Sequence, residues 1–416
     1  MKKQSKENIK KRRQLYITDF GLTPTKRIDK CGILVEKGKI LAIGGASAFS
    51  RDLDIDIFEF PDCYATPGFI DSHIHGGGGF DSSSADNGLF DITSMCALLA
   101  SHGVTSFIPT VVSMSADKML ANLSYLADLL EVSYNGAQPV GIHIEGPFIN
   151  RKKHGSQTLD DIKDVDLGFA RELIAAGKGH VKLCTFAPEL ENSDKLIELF
   201  LENNIRPSMG HSLADEKAVL RAIDAGADRC THIYNGMPPL HQRNINLTSV
   251  ALTDDRVTTE IILDGILLDP RMIDLVCRAK PKDKIIGISD AIAAVGLRDG
   301  YYHLGKSQIE VKNGRSTTAD GALAGTTLTL ENGWHYLVTY SHLKDTEAAR
   351  CVTMNPANDL GLQHLGELLP GKRADISFFY KENNKTRLTI SGGRIVYDSE
   401  NKLTGHDFDV NEELKN

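Results

Sequence analysis

Two histidines one residue apart, His73 and His75, end an apolar stretch and are followed by four glycines at positions 76–79. Residues i and i+2 of a β-strand point to the same side, so both imidazoles can reach a single metal ion. The glycines would allow backbone and substrate to approach closely. This pattern predicts a catalytic metal site at the end of a strand.

Four more side chains could complete this site, because each ends a predicted strand: Glu145, His211, His232 and Asp290. The six residues supply imidazole nitrogen and carboxylate oxygen without thiolate. Such ligands are typical of catalytic Zn²⁺, Fe²⁺, Mn²⁺ or Co²⁺ rather than of a closed structural zinc site. Six ligands exceed what one tetrahedral ion and a water require. We therefore expect one or two divalent ions per subunit, with zinc or iron favoured and Glu145 able to bridge a pair.

The elements that must position these side chains alternate between strand and helix. Eight apolar strands are predicted, at residues 69–75, 104–112, 140–145, 181–187, 206–211, 228–233, 258–264 and 285–290. Most segments between them show helical periodicity, as at Leu120, Leu123, Leu126 and Leu130. This alternation predicts an α/β fold with a parallel (β/α)₈ TIM-type barrel. Barrel enzymes carry their active sites at the carboxyl ends of the strands, where all six candidates lie.

Short β-rich segments at both ends of the chain, such as "LYITDF" and "ADISFFY", predict a second, smaller domain. We expect a small β-sandwich from residues 14–66 and 370–410, the catalytic barrel at 67–369, and a disordered basic leader at 1–13. Residues 291–325 are expected to form a loop over the barrel mouth, before a last helix at about 326–340.

Composition narrows the classes of partner. The 416 residues carry 47 basic and 55 acidic side chains, which gives a formal charge of −8. This balance does not indicate a basic surface of the kind that binds nucleic acid. No apolar run reaches membrane-spanning length. The seven cysteines form no C-x-x-C pair, which is typical of reduced thiols in a cytoplasmic protein. We expect a cytoplasmic protein that binds a small molecule, with neither nucleic acid nor membrane as a partner.

Longer motifs around the six residues are more specific than the pair of histidines. They are "PGFIDSHIHG", "GIHIEGPFIN", "GHSLAD", "THIYNGMPPL", "SDAIAAVGLRDGYYHLG" and "LAGTTLTL". Together they resemble the amidohydrolase superfamily and, within it, the N-acetylglucosamine-6-phosphate deacetylases. The resemblance implies a barrel with a small β-sandwich, a homodimer, and metal-dependent hydrolysis of N-acetylglucosamine 6-phosphate to glucosamine 6-phosphate and acetate.

The same resemblance assigns roles to individual residues. It implies that Glu145, His211 and His232 form the principal metal site and that His73 and His75 form a second one. Asp290 is both a metal ligand and the proton carrier. Contacts to the substrate are implied at Gln157, Asn235, Gly236, Arg243, Leu323, Ala324 and Gly325. Arg243 would bind phosphate in the neighbouring subunit of the dimer.

One position departs from the family pattern. Leu267 stands where the better-known members have the histidine of a D-G-x-H motif. An apolar side chain cannot donate a hydrogen bond to a phosphate or hydroxyl group. The alternatives are therefore a deacetylase of another acylamino sugar, such as N-acetylgalactosamine 6-phosphate or an unphosphorylated form, and a non-catalytic metal-bound sugar sensor. A cyclic amidase or deaminase of the same superfamily would need residues that bind a base or ring, and the E-G-P-F and T-H-x-Y-N-x-M-P elements argue against it.

Overall fold

The computed structural model describes residues 13–49, 54–87 and 91–403. Residues 1–12 of the predicted leader and 404–410 of the predicted small domain lie outside these ranges. No helix among the described residues combines the length and hydropathy that a membrane span requires.

The strands within the described ranges are β1 Arg13–Leu22, β2 Arg27–Asp29, β3 Cys31–Glu36, β4 Lys39–Gly45, β5 Ile55–Pro67, β6 Phe69–Ile74, β7 Gly76–Gly77, β8 Phe80–Asp81, β9 Val104–Val112, β10 Gln138–Pro139, β11 Ile142–Glu145, β12 Val181–Phe186, β13 Arg206–Met209, β14 Arg229–Cys230, β15 Thr258–Ile262, β16 Ile285–Ile288, β17 Gly300–Leu304, β18 Ser307–Lys312, β19 Arg315–Thr318, β20 Ile376–Tyr380, β21 Thr386–Ser391 and β22 Arg394–Asp398.

The α-helices within the same ranges are α1 Ile92–Ala100, α2 Ala116–Leu130, α3 Leu167–Ala176, α4 Ser193–Glu202, α5 Glu216–Asp224, α6 Leu247–Thr253, α7 Pro270–Ala279, α8 Leu330–Tyr340, α9 Asp345–Cys351 and α10 Met354–Asp359. Short 3₁₀ turns occur at Ala46–Ala48, Ser82–Asn87, Arg151–Lys153, Leu159–Asp161 and Lys282–Lys284.

The predicted (β/α)₈ barrel is confirmed. Its strands pair in parallel in the order β6, β9, β11, β12, β13, β14, β15 and β16, with β10 as a short addition to β9. The two ends of the sheet meet where the backbone N–H of Asp290 donates to the carbonyl of His73 at 3.0 Å. Strand β9 is buried along its whole length. Of the predicted apolar face of helix α2, Leu123 and Leu126 are buried, whereas Leu120 and Leu130 are partly buried.

Several barrel strands are shorter than predicted. Strand β14 contains only Arg229 and Cys230, and β13 and β16 end two residues before His211 and Asp290. The side chains at the barrel mouth therefore lie on the first turns after the strands. The backbone leaves the extended conformation in these turns, where His211, His232 and Asp290 have positive φ angles.

The smaller domain is one hydrogen-bonded sheet of eight strands contributed by both ends of the chain. The order is β22, β21, β20, β5, β1, β3 and β4, with β2 paired to β1. Its own apolar core includes Tyr16, Ile33, Phe60, Phe378 and Leu388. The strands confirm a small β domain built from both termini, whereas its boundaries at 14–66 and 370–410 remain a prediction.

A buried carboxylate joins the small domain to the barrel. Glu331 of helix α8 accepts hydrogen bonds from the backbone N–H of Thr386 at 2.6 Å and its hydroxyl at 2.8 Å. It also accepts from Nδ1 of His102 at 3.2 Å. Burial opposes ionisation of Glu331, but these partners lower its pKa to about 2. The carboxylate therefore stays charged at neutral pH and holds strand β21 against the barrel.

The prediction of a loop over residues 291–325 is wrong. Strands β17, β18 and β19 form a three-stranded antiparallel sheet within this segment. Strand β18 alternates buried and exposed residues, with Ile309 and Val311 buried, which is the pattern of a sheet with one covered face. This sheet, here called the cap sheet, packs its apolar face against Val112, Ile292 and Ala294 beside the barrel mouth.

Candidate active site

The structure brings together all six predicted metal ligands. His73 lies in β6 and Glu145 ends β11, while the other four follow strand ends: His75 after β6, His211 after β13, His232 after β14 and Asp290 after β16. All six are buried. The carboxyl ends of parallel barrel strands meet at one rim, and this places residues from five strands around one point.

The Glu145 carboxylate lies at the centre of the cluster. Its Oε1 is 2.9 Å from Nε2 of His232 and 3.1 Å from Nε2 of His211. Its Oε2 is 3.5 Å from Nε2 of His75. Two groups with the spacing of metal ligands result: Glu145 with His211 and His232, and Glu145 with His73 and His75. Glu145 is common to both groups.

Asp290 faces the second of these groups. Its Oδ1 lies 3.1 Å from Nε2 of His75 and 3.5 Å from Nε2 of His73. A carboxylate at this distance can share a cation with the two imidazoles and still exchange a proton with a neighbouring molecule.

The orientation of the imidazoles fits a divalent metal. Nδ1 of His211 lies 2.6 Å from the carbonyl of Lys153, and Nδ1 of His75 lies 3.2 Å from the carbonyl of Thr110. A carbonyl only accepts, so each Nδ1 carries the proton and each Nε2 presents its lone pair to the cluster. Nε2 of His211 is also only 3.1 Å from Nε2 of His232. An Nε2 lone pair directed at a carboxylate, as at His211 and His75, is the arrangement that a bound cation stabilises.

The electrostatics of the cluster also favour positive charge. Burial opposes ionisation of Glu145, but the imidazoles around it, His211 first, hold its pKa well below the usual range. Burial likewise opposes charge on His232, and the hydrogen bond to Glu145 outweighs it, raising the pKa of His232 to about 9. The carboxylates therefore attract either protons or metal ions to the imidazoles, depending on which is available.

Three of the six residues have unusual backbone conformations. The φ angles are 46° for His211, 24° for His232 and 51° for Asp290, all in the left-handed region that non-glycine residues rarely adopt. Such conformations cost of order 1–3 kcal/mol each and persist only where the surrounding structure enforces them. They end the strands early and turn the side chains towards Glu145.

The predicted substrate residues fall into two sets. Gln157 is buried, and its Nε2 donates to Oε2 of Glu145 at 3.2 Å, while its Oε1 accepts from the backbone N–H of Ser113 at 3.0 Å. A Cβ on Gly236 would lie 3.0 Å from Nδ1 of His211. A Cβ on Gly325 would lie 2.9 Å from the carbonyl of Asp290. These three residues border the cluster.

The remaining substrate residues lie farther out. The backbone N–H of Asn235 donates to the carbonyl of His232 at 3.0 Å. Ala324 is buried and bonded to Ser316 of the cap sheet, beside the partly buried Leu323. Arg243 is exposed, and within the described ranges no hydrogen bond or ion pair engages its guanidinium. Among the described residues, none of the six cluster side chains forms a hydrogen bond or ion pair with Arg243.

Sequence reasoning missed a buried charge pair behind the histidines. Glu260 of β15 and Arg229 of β14 are fully buried, and Nδ1 of His73 lies 3.0 Å from Oε2 of Glu260. Burial opposes ionisation of Glu260, but Arg229 and His73 keep its pKa well below the usual range. The available signal was a charged residue inside each of two predicted strands, Arg229 in the strand at 228–233 and Glu260 in the strand at 258–264.

Comparison with known proteins decides the family. Residues 64–396 match the amidohydrolase family. The chain belongs to the amidohydrolase family. It is therefore a hydrolytic enzyme, and the predicted resemblance is confirmed.

Two relatives of this amidohydrolase differ in the sugar that their names specify. The N-acetylglucosamine-6-phosphate deacetylase of Bacillus subtilis (strain 168) is 32% identical over 391 residues, which cover 92% of this chain and 97% of the relative. The N-acetylgalactosamine-6-phosphate deacetylase of Escherichia coli O157:H7 is 33% identical over 311 residues, covering 74% of this chain and 82% of the relative.

Solved structures of deacetylases share the fold of this amidohydrolase over nearly its whole length. The N-acetyl-D-glucosamine-6-phosphate deacetylase of Mycobacterium smegmatis, in complex with N-acetyl-D-glucosamine-6-phosphate, aligns with a TM-score of 0.86 and 29% identity, covering 92% of this chain and 99% of that one. The N-acetylglucosamine-6-phosphate deacetylase of Thermotoga maritima aligns with a TM-score of 0.80 and 31% identity, covering 92% and 100%.

Proposed function

We propose that this amidohydrolase removes the acetyl group of N-acetylglucosamine 6-phosphate, giving glucosamine 6-phosphate and acetate in amino sugar catabolism. The observation that carries the proposal is the pair of ligand groups that share Glu145, with the carboxylate of Asp290 beside them at the barrel rim. The relatives named as deacetylases of this substrate support the choice of sugar phosphate.

The six residues of the cluster would hold one or two divalent ions, with zinc or iron favoured for this nitrogen and oxygen donor set. When bound, such ions promote ionisation of a water and polarise an amide carbonyl. Asp290 accepts the proton of the attacking water and delivers it to the amide nitrogen, which leaves poorly unless it is protonated.

Substrate binding falls to the residues around the rim. Gln157, Asn235 and Gly236 contact the sugar or its acyl oxygen, and the segment Leu323, Ala324 and Gly325 closes over it. In a homodimer, Arg243 binds the phosphate group of the substrate that lies in the neighbouring subunit, because a guanidinium can donate two hydrogen bonds to phosphate oxygens. The exposed position of Arg243, without a partner among the described residues, supports this arrangement. Seven unpaired, buried cysteines support a cytoplasmic location.

Leu267 bears on how tightly phosphate is held. Its backbone N–H donates to Oδ1 of Asp264 at 2.9 Å, and its side chain packs against Ile262, Ile286 and Ile288 of the barrel. The loop conformation is thus set by Asp264, and the side chain adds an apolar contact. Losing one charge-assisted hydrogen bond at this position would cost about 1.5–3 kcal/mol of binding energy.

The test is acetate release by the metal-loaded protein. We expect turnover of N-acetylglucosamine 6-phosphate to exceed that of N-acetylgalactosamine 6-phosphate and of both unphosphorylated sugars, and a chelator to abolish it until Zn²⁺ or Fe²⁺ is restored. Leu267→His should increase the preference for the phosphorylated sugar. Bound metal without acetate release from any of the four sugars would overturn the proposal in favour of a sugar sensor.

A further inference from the structure

We propose that Glu260 is a positioning residue that fixes ligands of both candidate metal positions at once. The inference rests on the metal assignment of the proposed function, but concerns a residue outside the ligand set. It predicts that metal affinity, and not only turnover, depends on a carboxylate that touches neither the metal nor the substrate.

One oxygen of Glu260 serves both ligand groups. Its Oε2 lies 3.0 Å from Nδ1 of His73 and accepts the backbone N–H of His232, also at 3.0 Å. His73 belongs to one group and His232 to the other. Glu260, which is not itself a candidate ligand, thus contacts one candidate ligand of each group, His73 and His232.

The other oxygen of Glu260 is held by Arg229. Oε1 accepts from Nη2 of Arg229 at 2.5 Å and from Nε at 3.2 Å. Arg229 also donates to the hydroxyl of Ser72 at 3.1 Å and forms an ion pair with Asp359 of helix α10. Since Glu260 and Arg229 are both fully buried, the carboxylate cannot rotate away without leaving a buried charge unpaired.

This anchoring has a specific effect on each ligand. An ionised carboxylate only accepts, so it places the proton of His73 on Nδ1 and leaves the Nε2 lone pair for the metal. For His232, the bond to the backbone N–H supports a residue whose φ angle is 24°. His75 and His211 rely on nearby carbonyls for the same purpose, so the shared carboxylate is particular to His73 and His232.

The test is Glu260→Gln, with Glu331→Gln as the matched control. A glutamine keeps the shape, but its amide must direct NH₂ towards either Arg229 or His73, and both are donors. The control removes a second buried, multiply bonded carboxylate that lies at the domain junction. Zinc-loaded wild type and variants are equilibrated against chelator-buffered zinc, and the zinc retained per chain is measured.

The zinc-binding step that His75→Ala abolishes belongs to the group containing His73. We expect Glu260→Gln to weaken that step by about 10–100-fold, as for other residues that orient metal-bound histidines. The remaining zinc-binding step should weaken less. If wild type holds a single ion, the same weakening applies to that step. Glu331→Gln should retain zinc like wild type while lowering the unfolding temperature. Wild-type zinc retention by Glu260→Gln, or an equal loss in the control, would overturn the inference.

If Glu260→Gln does not fold, a measurement on the wild-type protein still tests the inference. In zinc-loaded protein labelled with ¹⁵N-histidine, His73 should carry its proton on Nδ1 and coordinate through Nε2, and coordination through Nδ1 would contradict the inference. Failure of the proposed function gives a different result, because wild type would then bind no zinc or release no acetate.

Discussion

At the scale of single residues, Asp290 is constrained on several sides. Its carboxylate lies within 3.1 Å of His75, its backbone N–H donates to the carbonyl of His73, and its own carbonyl accepts from the backbone N–H of Thr326 at 2.8 Å. Together with a φ of 51°, these contacts direct the side chain into the rim. A proton carrier held in place avoids part of the cost of reorganisation during the reaction.

Asp290→Asn should lower kcat for acetate release by about 10²–10⁴-fold, because an amide cannot accept the proton of the attacking water. The shape of the side chain is preserved, so the far-ultraviolet circular dichroism should match that of wild type. Asp375→Asn is the control: this buried carboxylate bonds Gly392 in the small domain. It should reduce thermal stability while leaving kcat unchanged. Substantial turnover by Asp290→Asn would rule out its proposed role.

At the scale of elements, the glycines after His75 form a tight hairpin of β7 and β8 against the segment that follows Asp290. A Cβ on Gly76 would lie 2.2 Å from the carbonyl of Phe80 and 2.8 Å from the backbone nitrogen of Ala293. At Gly77 the closest atom would be Cδ2 of Leu98, at 3.2 Å. The first glycine is thus required by backbone contact, and the second only borders a flexible side chain.

Gly76→Ala should destabilise the protein by about 1–3 kcal/mol, the usual cost of overpacking, and should lower acetate release because Ala293 is three residues from Asp290. Gly77→Ala should stay within about 0.5 kcal/mol of wild type, since the end of Leu98 can move. Thermal unfolding of the two variants side by side measures the difference. Equal losses in both would show that the hairpin does not depend on the close approach at Gly76.

At the scale of the whole molecule, one chain brings the candidate metal ligands together, but no contact among the described residues joins them to Arg243, a predicted substrate residue. The cluster is buried at the barrel rim, whereas Arg243 is exposed on the loop between β14 and α6. Leu240 and Ile245 of the same loop are exposed apolar residues. Exposed apolar residues beside a guanidinium that has no partner among the described residues fit the proposed interface between two copies of the chain.

A mixed dimer tests whether Arg243 serves the neighbouring site. Arg243→Gln should raise KM for the phosphorylated sugar by about 10–100-fold, and Asp290→Asn should be nearly inactive. When the two variants are co-expressed, each mixed dimer has one site with an intact Asp290 and an intact Arg243 from its partner. Random pairing should therefore restore about a quarter of the wild-type activity at low substrate. No recovery would mean that Arg243 acts within its own chain or does not bind substrate.

The sequence by itself determined the ligand types and the architecture that carries them. The spacing of His73 and His75 could be interpreted from the sequence, and so could the positions of Glu145 and Asp290 at the ends of predicted strands. Both follow from strand periodicity and burial, which are local properties. The alternation of apolar strands and amphipathic helices predicted the barrel for the same reason. The cap sheet was missed because its covered face packs against residues distant in the sequence, such as Val112.

Only the tertiary structure decided which atoms meet. Glu145 and His232 are 87 positions apart and His73 and Glu260 are 187 apart, so their contacts depend on closure of the whole barrel. The left-handed backbone at His211, His232 and Asp290 is likewise imposed by surrounding structure, against the local preference of these residues. Local pattern therefore specified the candidate ligands, whereas long-range packing specified that Glu145 belongs to both candidate groups and that Glu260 contacts His73 and His232.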